Sequence, residues 1–156
     1  MSLSCTAWTG ILWVHMTPPI TTEPIRVRYG ETDQMGHVYY ANYLLWFEVG
    51  RGAWCRDRGF DYADIERMGF MLPCVEAHLK YRGEVKYDQI IHINTWVSEI
   101  RRAAIRFDYT VTNPETGVLC TEGYTWHVLM STARKAVSIP PDIREMLERG
   151  TGAGLE

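Results

Sequence analysis

Hydrophobic and polar positions alternate from the first regular stretch of the chain: Ile25, Val27 and Tyr29 are separated by Arg26 and Arg28, the period of a half-buried strand that ends at Gly30. The period then lengthens. Tyr43, Trp46, Phe47, Gly50 and Trp54 recur at helical spacing with Asn42, Glu48, Arg51 and Arg56 between them, which predicts a long helix over residues 40–58, with Gly59 suited to its left-handed C-terminal position. Asp61 and Asp64 followed by Ile65 and Met68 predict a short second helix before Gly69. Period-2 patterning returns in Val75, Ala77, Leu79 and Tyr81, in Ile91, Ile93, Thr95 and Val97, and in Ala103, Ile105, Phe107, Tyr109 and Val111. The run Asn113-Pro114-Glu115-Thr116-Gly117 predicts a hairpin turn, so the next strand, Val118 to Ser131, pairs antiparallel with its predecessor and places Val118, Cys120, Tyr124, Trp126 and Val128 on one face. Pro140-Pro141-Asp142 opens a closing helix through Leu147.

One strand, one long helix and then strands without intervening helices exclude a doubly wound parallel sheet and predict an α+β domain with one antiparallel sheet. A long helix with bulky residues on several faces needs a curved sheet around it, and the remaining apolar surface calls for association. The 156 residues suffice for a single core, assigned to residues 23–150, with residues 1–22 as an extension outside it and 151–156 as a tail. Sixteen Lys+Arg against 19 Asp+Glu give a net charge of −3, which lacks the positive excess of a nucleic-acid or anionic-membrane binder. Residues 3–16 are apolar-leaning but too short and broken for a membrane span, and they lack the basic start of a signal peptide. Cys5, Cys55, Cys74 and Cys120 stand far apart with no metal-ligand spacing, so the expectation is reduced thiols in a cytoplasm and no metal.

Chemistry concentrates between the first strand and the long helix, in Glu31-Thr32-Asp33-Gln34-Met35-Gly36-His37-Val38-Tyr39-Tyr40. A helix start leaves backbone N–H groups unpaired and partially positive, suited to a carbonyl oxygen that becomes negative. Asp33 beside it supplies a nucleophile or base, Gly36 lets the backbone approach a substrate, and flanking tyrosines exclude water. The competing reading is structural: Asp and Gly in such a turn commonly only shape it and cap the helix. His37 is a candidate acid or base, while Glu31 reads as a strand-end residue facing water.

The run from Glu31 through Tyr43, with Trp46-Phe47-Glu48 and Arg51, resembles the signature of hotdog-fold acyl-CoA thioesterases of the 4-hydroxybenzoyl-CoA thioesterase type, and the likeness extends over residues 24–148 through His78-Leu79-Lys80-Tyr81 and Tyr87-Asp88. The resemblance implies five or six antiparallel strands wrapped around one long helix, a homodimer or homotetramer with clefts between subunits, and hydrolysis of an acyl-CoA thioester to acid and CoA. No cofactor is implied, because coenzyme A is part of the substrate. Asp33 matches the family's catalytic aspartate, acting as nucleophile or general base, and the backbone N–H of Tyr40 matches its carbonyl-polarising donor; some relatives carry histidine at that position. Gly36, His37, Val38 and Tyr43 fall where substrate would bind, Tyr43 with Trp46, Phe47, Met68, Phe70 and Met71 as acyl-pocket candidates. CoA phosphates ask for cations, for which Arg134 and Lys135 form the first-choice pair and Arg82, Lys86, Arg101 and Arg102 the others. Two other classes are compatible with the same fold: a non-catalytic acyl-thioester or acyl-carrier-protein binding module, and a dehydratase or hydratase. The presence of Asp33 favours the hydrolase.

Overall fold

The computed structural model describes residues 18–149. In chain order the elements are β1 (Thr21–Arg26), a 3-10 turn (Tyr29–Glu31), α1 (Asn42–Asp57), α2 (Tyr62–Arg67), β2 (Phe70–Met71), β3 (Cys74–Tyr81), β4 (Ile90–Ile100), β5 (Ala104–Thr112), β6 (Leu119–Val128), β7 (Met130–Ser131) and α3 (Pro141–Glu148). Five strands form one antiparallel sheet in the order β1-β4-β5-β6-β3, and β2 pairs with β7 beside it. The predicted hairpin joins β5 to β6: Asn113 Oδ1 accepts from Glu115 N at 2.9 Å, and Gly117 takes a φ of 70° that a side chain would disfavour.

The sheet curls because α1 touches every strand. Phe47 stacks on Tyr109 of β5 with ring centroids 4.2 Å apart, Trp54 meets Phe107 of the same strand edge-on at 5.2 Å, and Tyr43 meets Tyr81 of β3 at 5.2 Å. Gly50 lies so close to β4 that a Cβ there would fall 2.5 Å from Thr95 Oγ1 and 2.7 Å from Ile93 Cγ2. On β6, Gly123 leaves room for the Phe47 ring and for the neighbouring His78 carbonyl. Tyr43, Trp46, Phe47, Gly50 and Trp54 are buried as their spacing predicts, whereas Leu44, Leu45 and Val49 on the other side of α1 are exposed.

Four expectations are corrected. Residues 1–22 do not all lie outside the core: β1 begins at Thr21, whose hydroxyl donates to Asp57 Oδ2 at 2.7 Å, while Arg58 donates to the Pro19 carbonyl at 3.1 Å. Residues 1–17 and the tail at 151–156 lie outside the described residues. Tyr29 is not a strand residue; the chain turns at Arg28, whose N–H is captured by the Glu31 carboxylate, and Tyr29 is left exposed. Strand β3 buries no face, with only Leu79 half-buried, because it forms the sheet's edge beyond most of the helix.

The fourth correction concerns β6. Leu119 pairs with Thr112 and Thr121 with Val111, so Cys120 is an extra residue in the ladder. One inserted residue inverts the alternation that follows it. Thr125 and His127 therefore face the core, and Tyr124, Trp126 and Val128 lie half-exposed on the outer face. Thr125 and His127 are satisfied in a chain: Thr125 Oγ1 bonds Tyr109 Oη at 2.9 Å and His127 Nε2 at 3.0 Å, and His127 Nδ1 lies 3.2 Å from the Leu72 carbonyl. Burial, with the nearby Arg51 charge, pushes the His127 imidazole down to about 4, so it is neutral near pH 7.

The close seat of α1 gives a direct test. Gly50→Ala is expected to lower stability by about 1–3 kcal/mol through overpacking against β4. Gly52→Ala, where a Cβ would meet only the flexible end of Arg56 at 3.2 Å, is expected to leave stability unchanged or slightly raised. Urea midpoints that place both variants together would refute the helix-to-sheet contact as the source.

Candidate active site

Residues 32–38 form a closed turn. Thr32 bridges Val38, Asp33 N donates to the His37 carbonyl at 3.0 Å, and Gly36 N donates back to the Asp33 carbonyl at 3.0 Å. Gly36 has a φ of 81°, which explains a glycine there. Within the turn Asp33 Oδ1 accepts from Met35 N at 2.8 Å, while Oδ2 has no protein partner among the described residues. His37 Nε2 lies 3.9 Å from Asp33 Oδ1. Asp33 thus shapes the turn with one oxygen and leaves the other available, so the structural and chemical readings of this residue are not exclusive.

Glu31 holds the turn to the helix, and the expectation that it faces water is corrected: it is 5% exposed. Its Oε2 accepts from Arg28 N at 2.7 Å, and its Oε1 accepts from Arg28 Nη2 at 2.7 Å and Trp46 Nε1 at 3.1 Å. Its backbone carbonyl accepts from Tyr39 N at 2.9 Å and Asn42 Nδ2 at 2.8 Å. Burial by itself would raise the Glu31 carboxyl; the bonds from Arg28 and Trp46, with the Arg28 charge, outweigh it and hold the group below its ordinary value.

Tyr40 lies in the turn that leads into α1 rather than inside the helix, which starts at Asn42 with Ala41 as its cap. Asn42 N donates to the Tyr39 carbonyl and Leu44 N to the Ala41 carbonyl, while the N–H groups of Tyr40 and Ala41 meet no protein acceptor among the described residues. Open donors at this point are what a developing oxyanion needs.

Asp33, Met35, His37, Val38, Tyr40 and Tyr43 line one cavity of about 390 Å³, which Tyr81, Arg82, Gly83 and Glu84 close from the end of β3. Burial first, with Cys120, Tyr81 and Glu84 adding to it, pushes the Tyr43 phenol up to about 12 and keeps it a neutral group. Gly36 shapes the turn without lining the cavity. Trp46 and Phe47 belong to the core, not to the pocket. Arg134 lines a different cavity of about 460 Å³ with Tyr62, Glu66, Met71, Leu72, Pro73 and Met130; the fold does not bring Arg134 to the Asp33 cavity within one chain, and Lys135 lines neither cavity. Among the alternative cations Arg82 reaches the Asp33 cavity and pairs with Glu122 at 2.6 Å, and Arg101 pairs with Glu99 at 2.6 Å. Tyr81, Gly83 and Glu84 escaped notice as site residues, since nothing in the spacing of the chain shows that the end of β3 lies beside residue 40.

Residues 27–147 match the sequence profile of the thioesterase-like superfamily. The Bacillus subtilis protein YneP, named as a proposed acyl-CoA thioesterase, is 38% identical over 70% of this chain and 78% of its own length. The acyl-CoA thioester hydrolase YbgC of Escherichia coli is 28% identical over 62% of this chain and 72% of its own. Among solved structures, a DHNA-CoA thioesterase from Staphylococcus aureus superimposes with a TM-score of 0.77 and 31% identity, covering 83% of this chain and 89% of that one.

The Glu31 carboxylate supplies a pH-dependent test. Because its folded-state pKa lies below the unfolded value, its contribution is present above the ordinary carboxylate range and is lost as pH falls through the folded value. Glu31→Gln is expected to cost about 1–3 kcal/mol at pH 7. Thermal melts should show that gap closing in acid; a gap that persists unchanged at pH 3 would contradict the ionised pairing.

Proposed function

The chain belongs to the thioesterase-like superfamily and has the hotdog fold, and we propose that it hydrolyses an acyl-CoA thioester to free acid and CoA at the Asp33 turn. The observation that carries this reading is the meeting, on one cavity, of a carboxylate with an uncommitted oxygen and a turn whose Tyr40 N–H has no protein acceptor. Thiolate leaves readily, so one acid and one oxyanion donor suffice. Asp33 Oδ2 either attacks the carbonyl to form a mixed anhydride, which water then opens, or takes a proton from a water that attacks directly. In either route the Tyr40 N–H supports the carbonyl oxygen as it becomes negative, the C–S bond breaks, and the CoA sulfur leaves as thiolate and is protonated. Such a donor and a carboxylate base each contribute on the order of a hundred- to a thousand-fold. His37, 3.9 Å from Asp33, is the second candidate for proton transfer. The available Asp33 oxygen on the cavity supports the hydrolase over the binding-module and dehydratase readings.

In this reading the cavity of about 390 Å³ takes the acyl thioester end of the substrate, with the CoA phosphates outside it. In this reading Arg134 and Lys135 of a second copy of the chain contact them, in a homodimer or homotetramer with shared clefts. Two exposed features support association: β3, an edge strand with a free ladder side, and the Leu44, Leu45 and Val49 face of α1. Cys55, Cys74 and Cys120 are free thiols, which fits a cytoplasmic setting, and among the described residues no helix is long and apolar enough to cross a membrane.

Asp33→Asn preserves the acceptor for Met35 N and removes the charge, so turnover of acyl-CoA substrates, followed by thiol release, is expected to fall by at least about a hundredfold with folding unchanged. A variant that melts like the parent and hydrolyses at a near-normal rate would exclude Asp33 from the chemistry. Light scattering at assay concentration is expected to find a dimer or tetramer, and a fully active monomer would remove the shared cleft.

A further inference from the structure

We propose that Tyr81 is a positioning residue for the oxyanion site: its hydroxyl pins the peptide between residues 40 and 41, the plane that carries the open Ala41 N–H next to the Tyr40 N–H. The inference rests on the thioesterase reading of the site. Tyr81 is the last residue of β3, and its Oη donates to the Tyr40 carbonyl at 2.9 Å, across 41 residues of sequence.

Two peptide planes meet at Tyr40. The plane between residues 39 and 40, which carries the Tyr40 N–H, is held through its carbonyl by Asn42 N at 3.0 Å. The plane between residues 40 and 41 has no comparable backbone tie: Leu44 N donates to the Ala41 carbonyl and not to that of Tyr40. The Tyr81 hydroxyl is its anchor. Residues just before are fixed independently, Val38 N by the Val85 carbonyl at 2.8 Å and Tyr39 N by that of Glu31 at 2.9 Å. The segment from Tyr81 to Val85 therefore grips the turn twice, once by backbone and once by a side chain. The grip at Tyr81 is the one that substitution can remove.

The contact has an electrostatic consequence as well. Tyr40 borders the cavity, and an unoccupied carbonyl oxygen there would repel the oxyanion; the Tyr81 O–H occupies it. Burial first, then the neighbouring Tyr40, raises the Tyr81 phenol, so it remains a donor through the neutral range. Its ring also packs edge-on against Tyr43, a contact that phenylalanine preserves.

Tyr81→Phe isolates the hydroxyl. A lost bond of this kind is expected to lower kcat about five- to twentyfold. KM should stay within about twofold and the melting temperature close to the parent's, since the binding surface and ring packing survive. The Asn42 amide, bonded within the same turn, should exchange with solvent at least about fivefold faster. Parent-like kcat in Tyr81→Phe overturns the proposal, whether or not the amide exchange changes; so does a drop in activity that tracks a drop in melting temperature with unchanged Asn42 exchange. Failure of the underlying activity looks different: the unmodified chain would then release no thiol from any acyl-CoA, and the positioning role would fall with it.

Discussion

A single buried carboxylate ties the Asp33 turn to the helix. Glu31 sits at the end of the 3-10 turn, accepts the Arg28 backbone and guanidinium on one side and the Trp46 indole on the other, and receives Tyr39 N and the Asn42 amide on its own carbonyl. Leaving water costs a carboxylate several kcal/mol unless donors replace the lost hydration, and here three do. Any displacement of the turn from α1 would break several of these bonds together. The position of Asp33 against Tyr40 follows from that constraint, because the turn between them is anchored at both ends by Glu31, through Arg28 before it and Tyr39 and Asn42 after it.

A second requirement is that the helix come unusually close to the sheet. Gly50 and Gly123 remove side chains where α1 meets β4 and β6, and Phe47 fills the space against Tyr109. With the helix drawn in, the strands bend around it, and the end of β3 is carried to the mouth of the Asp33 cavity. There Tyr81 bonds the Tyr40 carbonyl and Tyr43 packs edge-on beside it. Core packing and site assembly are thus the same event: the side chains that bury α1 also deliver the last walls of the cavity.

The two ends of the protein carry different chemistry. At the N-terminal end of α1, the Asp33 carboxylate and Tyr40, whose N–H meets no protein acceptor among the described residues, line a cavity with apolar walls. Toward the other end, half-buried Arg51 donates to the phenols of Tyr62 and Tyr109, and the chain continues through Thr125 to a neutral His127. That second network satisfies Thr125 and His127, which the bulge at Cys120 turns inward, and its members bond one another rather than lining the Asp33 cavity. The Leu44, Leu45 and Val49 face of α1 is exposed, and β3 is an edge strand.

The sequence alone determined the features that depend on neighbours in the chain. Helical spacing located α1 and its buried face, alternation located β4 and β5, Asn113 to Gly117 specified a hairpin, and the Asp33–Gly36 turn stood out because its residue types suit a tight turn beside a helix start. These are governed by backbone preferences and bonds spanning a few residues. Tertiary structure decided the rest. One extra residue at Cys120 reversed the faces of β6, edge position left β3 exposed despite its alternation, a carboxylate expected in water became the buried anchor of the turn, and a tyrosine 41 residues away reached the Tyr40 carbonyl. Each of these depends on strand register and on which segment packs over which, and a periodic pattern carries no information about either, because the same alternation is compatible with both faces of a strand and with any place in the sheet.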